Sequence, residues 1–172
     1  MQKSNSDITG TNTPRPKVSV CVVTYNQKNY IGECLQSLVD QITDFSFEVL
    51  VGDDCSTDGT SEIVADFANR YPHIVKHIRH QNNIGAYLNY KFIHREAHIR
   101  GEYVAHVDGD DYELPGKLAR QVSILDSHPE LALSAHAVKV VGQHGLIGAA
   151  AHLPEWGGIE DLLRLGTYFV NS

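Results

Sequence analysis

Residues 18–26 read VSVCVVTYN, a run of apolar and β-branched side chains that ends in polar residues. An uninterrupted apolar run of this kind is typical of a strand that is buried on both faces of a sheet. The apolar residues between Ile31 and Leu38 then recur at the interval that places them on one face of a helix. The first unit of the chain is therefore predicted to be a strand followed by a helix that packs against it.

Strand and helix signals continue to alternate along the rest of the chain. Further strands are predicted at 47–51, 74–78, 103–107 and 131–141, with helices across 63–68, 86–98 and 115–125. A short helix at 159–165 and the start of a strand at 168–170 come last. This alternation predicts an α/β fold, with a mostly parallel sheet, right-handed crossovers and flanking helices.

The composition is that of one globular domain with a negative balance of charge. The chain has 172 residues, of which 42% are hydrophobic, and its formal net charge is −7. We expect a polar, disordered tail at 1–16 and one domain at 17–172 that is truncated within its last strand signal. An acidic chain is poorly suited to neutralising phosphates, which argues against a nucleic-acid partner.

No apolar stretch is long enough for a transmembrane helix, and the amino terminus lacks the apolar core of a signal peptide. These features predict a cytoplasmic protein. A peripheral position at the inner face of the membrane stays open, and so does formation of a homo-oligomer.

Three polar clusters each follow a predicted strand directly. They are Thr24-Tyr25-Asn26, Asp53-Asp54 and Asp108-Gly109-Asp110-Asp111. Because the strands of a parallel sheet point the same way, all three clusters should meet at the carboxyl edge of the sheet. Open α/β sheets bind their ligands at that edge. The sequence therefore predicts a ligand site there.

Asp108-Gly109-Asp110-Asp111 has the composition of a divalent cation site. Mg²⁺ and Mn²⁺ prefer carboxylate oxygens, and Mg²⁺ often completes its shell with water and substrate phosphates. Gly109 permits tight backbone geometry between Asp108 and Asp110. A bound cation would also explain how an acidic protein could hold a diphosphate. The alternative is an acidic turn that is merely solvated.

The second cluster has a functional and a structural interpretation. Asp53 and Asp54 could accept hydrogen bonds from a nucleotide base or a ribose, or they could form a turn that caps the next helix. Tyr25 could stack on a base or cover the first helix. His94 and His98 are spaced like zinc ligands, but Arg95 stands where the zincin motif requires Glu, which favours a solvated helix face. His73, His77 and His80 are expected to face solvent.

The blocks at 18–26, 48–59 and 101–111 resemble the signature blocks of glycosyltransferase family 2. Asn83-Ile84-Gly85 and Lys117-Leu118 fall where that family has similar residues, and the resemblance covers about residues 17–141. It implies a GT-A fold with a Rossmann-like sheet, a nucleoside-diphosphate-sugar donor (often UDP), bound Mn²⁺ or Mg²⁺, and inversion at the anomeric carbon.

Carried over by position, the resemblance assigns individual roles. Tyr25 and Asp54 would contact the base, Asp108 would lie near the ribose and help to hold the metal, and Asp110 would bind the metal. The remaining positions of the expected donor site are Thr24, Asn26, Asp53, Asn83, Gly85 and Gly109. Candidates for a polar residue near the diphosphate are Lys91, Arg95 and Asn89.

The acceptor implied by the resemblance is a glycan or a lipid-linked glycan. We expect the general base beyond Ser172, with Asp161 as the best candidate inside the chain. A nucleotidyltransferase is a rival, although residues 24–27 lack the Gly-rich basic loop that such enzymes need after their first strand. A donor-binding module without turnover is the non-enzymatic alternative.

Overall fold

The computed structural model describes residues 15–95, 98–136, 139–142 and 145–149, the last of these as backbone only. The strands are β1 Val18–Thr24, β2 Phe47–Asp53, β3 Val75–Arg79, β4 Tyr103–Asp108, β5 Lys139–Gly142 and β6 Gly145–Ala149. The helices are α1 Ile31–Val39, α2 Thr60–Arg70, α3 Ala86–Ile93 and α4 Lys117–Ser127.

The first four strands form one parallel sheet in the order β3-β2-β1-β4. β1 pairs with β2 from Val18 opposite Phe47 onward, and with β4 from Val18 opposite Tyr103 onward. The chain therefore builds outward from β1 on one side and then returns to its other side. This reversal of strand order at β1 is a topological switch point, and the α/β fold predicted from the sequence is confirmed.

Both faces of the sheet are covered, which explains why β1 is apolar at nearly every position. Its alternate residues Val18, Val20 and Val22 belong to a large core that also includes side chains of α1, α2 and α4. Cys21 points the other way and packs in a smaller cluster that includes Ile93 of α3. A strand that is buried on two faces cannot show the apolar and polar alternation of a half-exposed strand.

A buried polar network at the amino end of the sheet fixes the position of β4. Glu48 is 2% exposed, and its Oε2 accepts hydrogen bonds from Arg100 Nε and Nη2 at 2.9 and 2.6 Å. Ser19 Oγ donates to Glu48 Oε1 at 2.7 Å and accepts from the Gly101 amide at 2.8 Å. Because buried charges are costly unless they are paired, this network favours one register of β4 beside β1.

The predicted strand at 131–141 is wrong over most of its length. Residues 131–136 are irregular, and Leu133 is 44% exposed. Of the described residues in this run, those from Lys139 onward are extended, and Lys139–Gly142 pairs antiparallel with β6 in a separate two-stranded sheet. A local hairpin partner therefore replaces the distant sheet edge that the sequence pattern suggested.

Helix α3 ends at Ile93, earlier than the 86–98 that the sequence predicted. The helix predicted at 159–165 and the strand start at 168–170 lie outside the described residues. In the part of the chain that the structure describes, no helix is both long enough and apolar enough to cross a membrane.

Candidate functional site

The parallel sheet brings the three polar clusters to one edge. Thr24 ends β1 opposite Asp53, the last residue of β2, and Asp108 ends β4 opposite Val23. The acidic turn after β4 and the polar loop after β1 therefore lie side by side at the switch point of the sheet. Crevices at such points are the usual ligand sites of open α/β sheets.

Gly109 is enclosed between the acidic turn and the loop after β1. Its amide donates to the Val23 carbonyl at 2.9 Å. A Cβ atom added at Gly109 would lie 2.5 Å from Gln27 Oε1 and 2.8 Å from Thr24 Oγ1. Glycine is required here because the two loops approach closely, and not because of an unusual backbone angle.

The acidic turn places the carboxylates of Asp108, Asp110 and Asp111 within four residues of one another. The side chain of Asp108 is 26% exposed, Asp110 is exposed, and the Asp111 amide closes the turn on the Asp108 carbonyl at 3.0 Å. Burial, together with the charges of Asp110 and Asp108, raises the pKa of Asp111 to about 6. Asp111 is a part of the acidic site that the predicted roles left out.

The donor set of this turn fits a hard divalent cation. Among the described residues there is no group of three or more His, Cys, Asp or Glu side chains that could hold a metal ion. Mg²⁺ typically takes only one or two protein carboxylates and completes its shell with water and substrate phosphates. Asp108 and Asp110 match that demand, and a cation would relieve the repulsion that raises the pKa of Asp111.

Asp54 binds the loop that precedes α3. It is buried, and its Oδ1 and Oδ2 accept the amide hydrogens of Ile84 and Gly85 at 2.7 and 2.8 Å. Asn83 Nδ2 donates to the Asp54 carbonyl at 3.3 Å. Asp54, Asn83 and Gly85, which the sequence predicted as parts of one site, are thus joined by direct hydrogen bonds.

Asp53 is enclosed by donors from the protein itself. Its carboxylate accepts the Ser56 amide at 2.9 Å, the Ser61 hydroxyl, and His77 Nε2 at 3.2 Å. Burial alone would raise the pKa of Asp53, but these hydrogen bonds outweigh it and hold the pKa well below its ordinary value. The expectation that His77 faces solvent is wrong, because its side chain is only 16% exposed.

The loop after β1 is fastened to the loop after β2. The Asn26 amide donates to Ser56 Oγ at 3.0 Å, and Asn26 Oδ1 accepts the Thr57 amide at 2.9 Å. The Gln27 amide donates to Thr60 Oγ1 at 2.8 Å. Asn26 adopts φ of +52°, a conformation that Asn tolerates better than most residues. These bonds leave the ring of Tyr25 47% exposed beside the loop.

The three residues that were predicted as candidates to lie near a diphosphate have different surroundings in the structure. Asn89 is buried, and its Nδ2 donates to the Gly52 carbonyl at 2.8 Å, so it is part of the protein interior. Lys91 Nζ lies over the Tyr87 ring, 5.4 Å from its centroid, and Arg95 lies over an aromatic ring of α3. Asp161 lies outside the described residues.

The fold and the site together define a class of protein. A parallel sheet that reverses its strand order at β1 and carries a carboxylate turn at the switch point is an α/β domain of the GT-A type. The family model described as Glycosyl transferase family 2 matches residues 19–154. The chain belongs to this family, as its signature blocks indicated.

Relatives and solved structures agree with this membership. An uncharacterised protein of Mycobacterium tuberculosis is 43% identical over 129 residues, which cover 74% of this chain and 37% of that relative. The crystal structure of Staphylococcus aureus TarS 1–349 in complex with UDP-GlcNAc is 37% identical, with a TM-score of 0.54, over 66% of this chain and 32% of that one.

A second similar structure is the mannosyltransferase PcManGT from Pyrobaculum calidifontis, in complex with GDP-Man and Mn²⁺. It is 29% identical, with a TM-score of 0.57, over 76% of this chain and 37% of that chain. The present chain therefore spans about a third of the length of these relatives.

Proposed function

We propose that this chain binds the donor in an inverting glycosyltransferase, which moves a sugar from a nucleoside diphosphate, UDP in our proposal, to a glycan or lipid-linked acceptor. The observation that carries the proposal is the carboxylate turn at the switch point. Asp108 and Asp110 lie there beside the loop after β1, where a diphosphate bound through a cation would fit.

The similar structures support a nucleotide sugar as the class of ligand. TarS is named as a poly(ribitol-phosphate) β-N-acetylglucosaminyltransferase, and its structure holds UDP-GlcNAc. PcManGT holds GDP-Man together with Mn²⁺. We favour UDP for this chain because of its higher identity to TarS. The measurement below compares UDP directly with GDP.

Exposure divides the residues of the site into two groups. In our proposal the exposed Tyr25 stacks on the base, while Asp108 contacts the ribose. Asp54 shapes the base pocket by holding the loop at Asn83 and Gly85, and its remaining lone pairs can still accept from the base. Asp53 supports the pocket from beneath through its bonds to Ser56 and Ser61.

The remaining roles concern the metal and the acceptor. Mn²⁺ or Mg²⁺ held by Asp110 and Asp108 would supply a Lewis acid that neutralises the charge of the leaving diphosphate. The acceptor hydroxyl needs a general base, which we place beyond Ser172, with Asp161 as the candidate within the chain. If donor binding occurred without any transfer by the longer protein, the chain would instead be a binding module.

A thermal-shift measurement tests the proposal. UDP at about one hundred times its Kd should add about 2.7 kcal/mol to the free energy of unfolding, because it binds only the folded state. For a domain of this size that corresponds to a rise in Tm of about 5–10 °C. The rise should be much larger in Mn²⁺ than in EDTA, and larger for UDP than for GDP.

Two variants make the measurement specific. Asp110→Asn should abolish the dependence on Mn²⁺, because it removes an exposed carboxylate from the turn. Asp44→Asn is the matched control, since Asp44 is exposed and precedes the amino end of β2, at the opposite edge of the sheet. Equal shifts in Mn²⁺ and EDTA would contradict the metal role, and no shift with either nucleotide would contradict donor binding.

A further inference from the structure

His106 is an unusual residue for a strand of this sheet. It lies in β4, where its neighbour Val107 packs in the large core, so His106 and Asp108 share the opposite face. His106 Nε2 lies 3.2 Å from Asp108 Oδ1. A carboxylate oxygen accepts hydrogen bonds, so at this distance the imidazole is the donor.

Two rings that follow one another in and after α3 hold the imidazole of His106 in place. The Tyr90 ring meets it edge-on, with the centroids 5.0 Å apart, and the His94 ring lies 5.2 Å away. Tyr90 and His94 are themselves stacked at 4.0 Å. His94, which was expected on a solvated helix face, is therefore packed inward, and the orientation of His106 is set by its surroundings.

The free ring nitrogens identify the tautomers of this pair. His106 Nδ1 and His94 Nε2 are buried and have no hydrogen-bond partner among the described residues. His94 Nδ1 lies 2.9 Å from the Tyr90 carbonyl, which can only accept. Each histidine thus has one nitrogen that must donate.

We propose that His106 is a positioning residue for Asp108. Its Nε2–H donates to Oδ1 and fixes the rotation of the Asp108 carboxylate. Oδ2 and the remaining lone pairs then point toward the nucleotide and its cation. This inference rests on the proposed function, because Asp108 is assigned to the ribose and metal there. His106 itself touches neither the donor nor the metal.

The first test uses the free protein and does not depend on nucleotide binding. Long-range ¹H–¹⁵N correlation spectra of the histidine rings distinguish the two neutral tautomers by the shifts of their nitrogens. His106 should carry a proton on Nε2, and His94 should carry one on Nδ1. A His106 ring that is protonated on Nδ1 alone would overturn the inference, whatever the protein binds.

The second test measures the Kd for UDP in the presence of Mn²⁺. His106→Phe keeps an aromatic ring but removes the donor, and it should raise the Kd for UDP with Mn²⁺ about tenfold. His106→Gln places an amide N–H near the position of Nε2 and should recover most of that loss. His98→Phe is the matched control, since it alters a ring that packs on Phe92, away from Asp108.

The outcomes separate this inference from the proposed function. If the unaltered chain binds UDP with Mn²⁺ but His106→Phe binds equally well, the positioning role is wrong. It is also wrong if His106→Gln is as weak as His106→Phe, because the ring and not the donor would then matter. Failure of the unaltered chain to bind any nucleotide contradicts the proposed function, and the tautomer measurement still decides the state of His106.

Discussion

Asp53 and Asp54 are neighbours in the sequence, but their carboxylates hold different parts of the structure. Asp53 faces inward to Ser56, Ser61 and His77, while Asp54 binds the loop that leads into α3. Successive residues at the end of a strand point to opposite sides. Two adjacent acids can therefore anchor two separate loops of one site.

Replacing Asp53 should cost stability in a pH-dependent way. Asp53→Asn places an amide among donors, and we expect the free energy of unfolding at pH 7 to fall by about 2–3 kcal/mol. The ordinary pKa is 3.8, and the folded protein holds it lower. The stabilisation by Asp53 is therefore present above about pH 4 and is lost as the pH falls through the folded-state value.

Urea denaturation at several pH values between 7 and 3 checks this prediction. Below about pH 4 the unaltered chain should lose stability faster than Asp53→Asn, so the difference between the two curves should narrow toward pH 3. Asp44→Asn, a change at an exposed aspartate, should follow the unaltered chain. A constant difference between Asp53→Asn and the unaltered chain would show that the charge of Asp53 contributes nothing.

For individual residues, the sequence shows which kinds of side chain are present more readily than it shows the direction in which each side chain points. The positions of the acids predict a polar strand end, and the structure places them there. The hydrogen-bond partners of Asp53 could not be predicted from the sequence. His77 lies in β3, and only the pairing of β3 with β2 brings it near Asp53. The role of His106 could not be predicted for the same reason, since it depends on the rings in and directly after α3 that pack against His106.

Between elements, the tightest contact of the site joins the turn after β4 to the loop after β1. Gly109→Ala should force this contact apart, because the new methyl group would overlap Gln27 and Thr24. Overpacking of this kind typically costs about 1–3 kcal/mol. We expect that loss of stability together with at least a tenfold weaker binding of UDP with Mn²⁺, measured by calorimetry.

Gly32→Ala is the control for this substitution. A Cβ at Gly32 would meet its nearest neighbour, in the Ile63 side chain, at an ordinary 3.9 Å. Since Gly32 lies in α1, alanine should keep or raise stability there by up to about 1 kcal/mol. If Gly109→Ala bound UDP as tightly as Gly32→Ala, the close approach of the two loops would have no role in binding.

The elements themselves were predictable where burial dominates. The four parallel strands are confirmed, and the two central ones, β1 and β2, are buried at nearly every position. The prediction of a strand at 131–141 was wrong because apolar residues favour an extended chain without determining which strand it pairs with. Val140 and Val141 pair with β6, and residues 131–136 are irregular.

Across the whole molecule, the central strand joins segments that are very unequally separated in sequence. β1 meets β2 after about 30 residues but meets β4 only after about 85 residues, which makes the second closure costlier by about 1 kcal/mol of loop entropy. We expect β1 and β2 to pair before β4 is added. Pulsed hydrogen exchange should show the Lys17 amide, which donates to the Ser46 carbonyl, protected earlier than the Tyr103 amide, which donates to the Lys17 carbonyl. Simultaneous protection would contradict this order.

The expected late pairing of β4 determines how a ligand should affect the rates of folding and unfolding. Asp108, Gly109 and Asp110 reach the other loops only when β4 docks, so a transition state that forms before β4 docks would hold no complete pocket for the proposed nucleotide. A ligand that recognises only the finished structure cannot speed folding. It should instead slow unfolding. A bound ligand would therefore lengthen the lifetime of the folded domain and leave its folding rate unchanged.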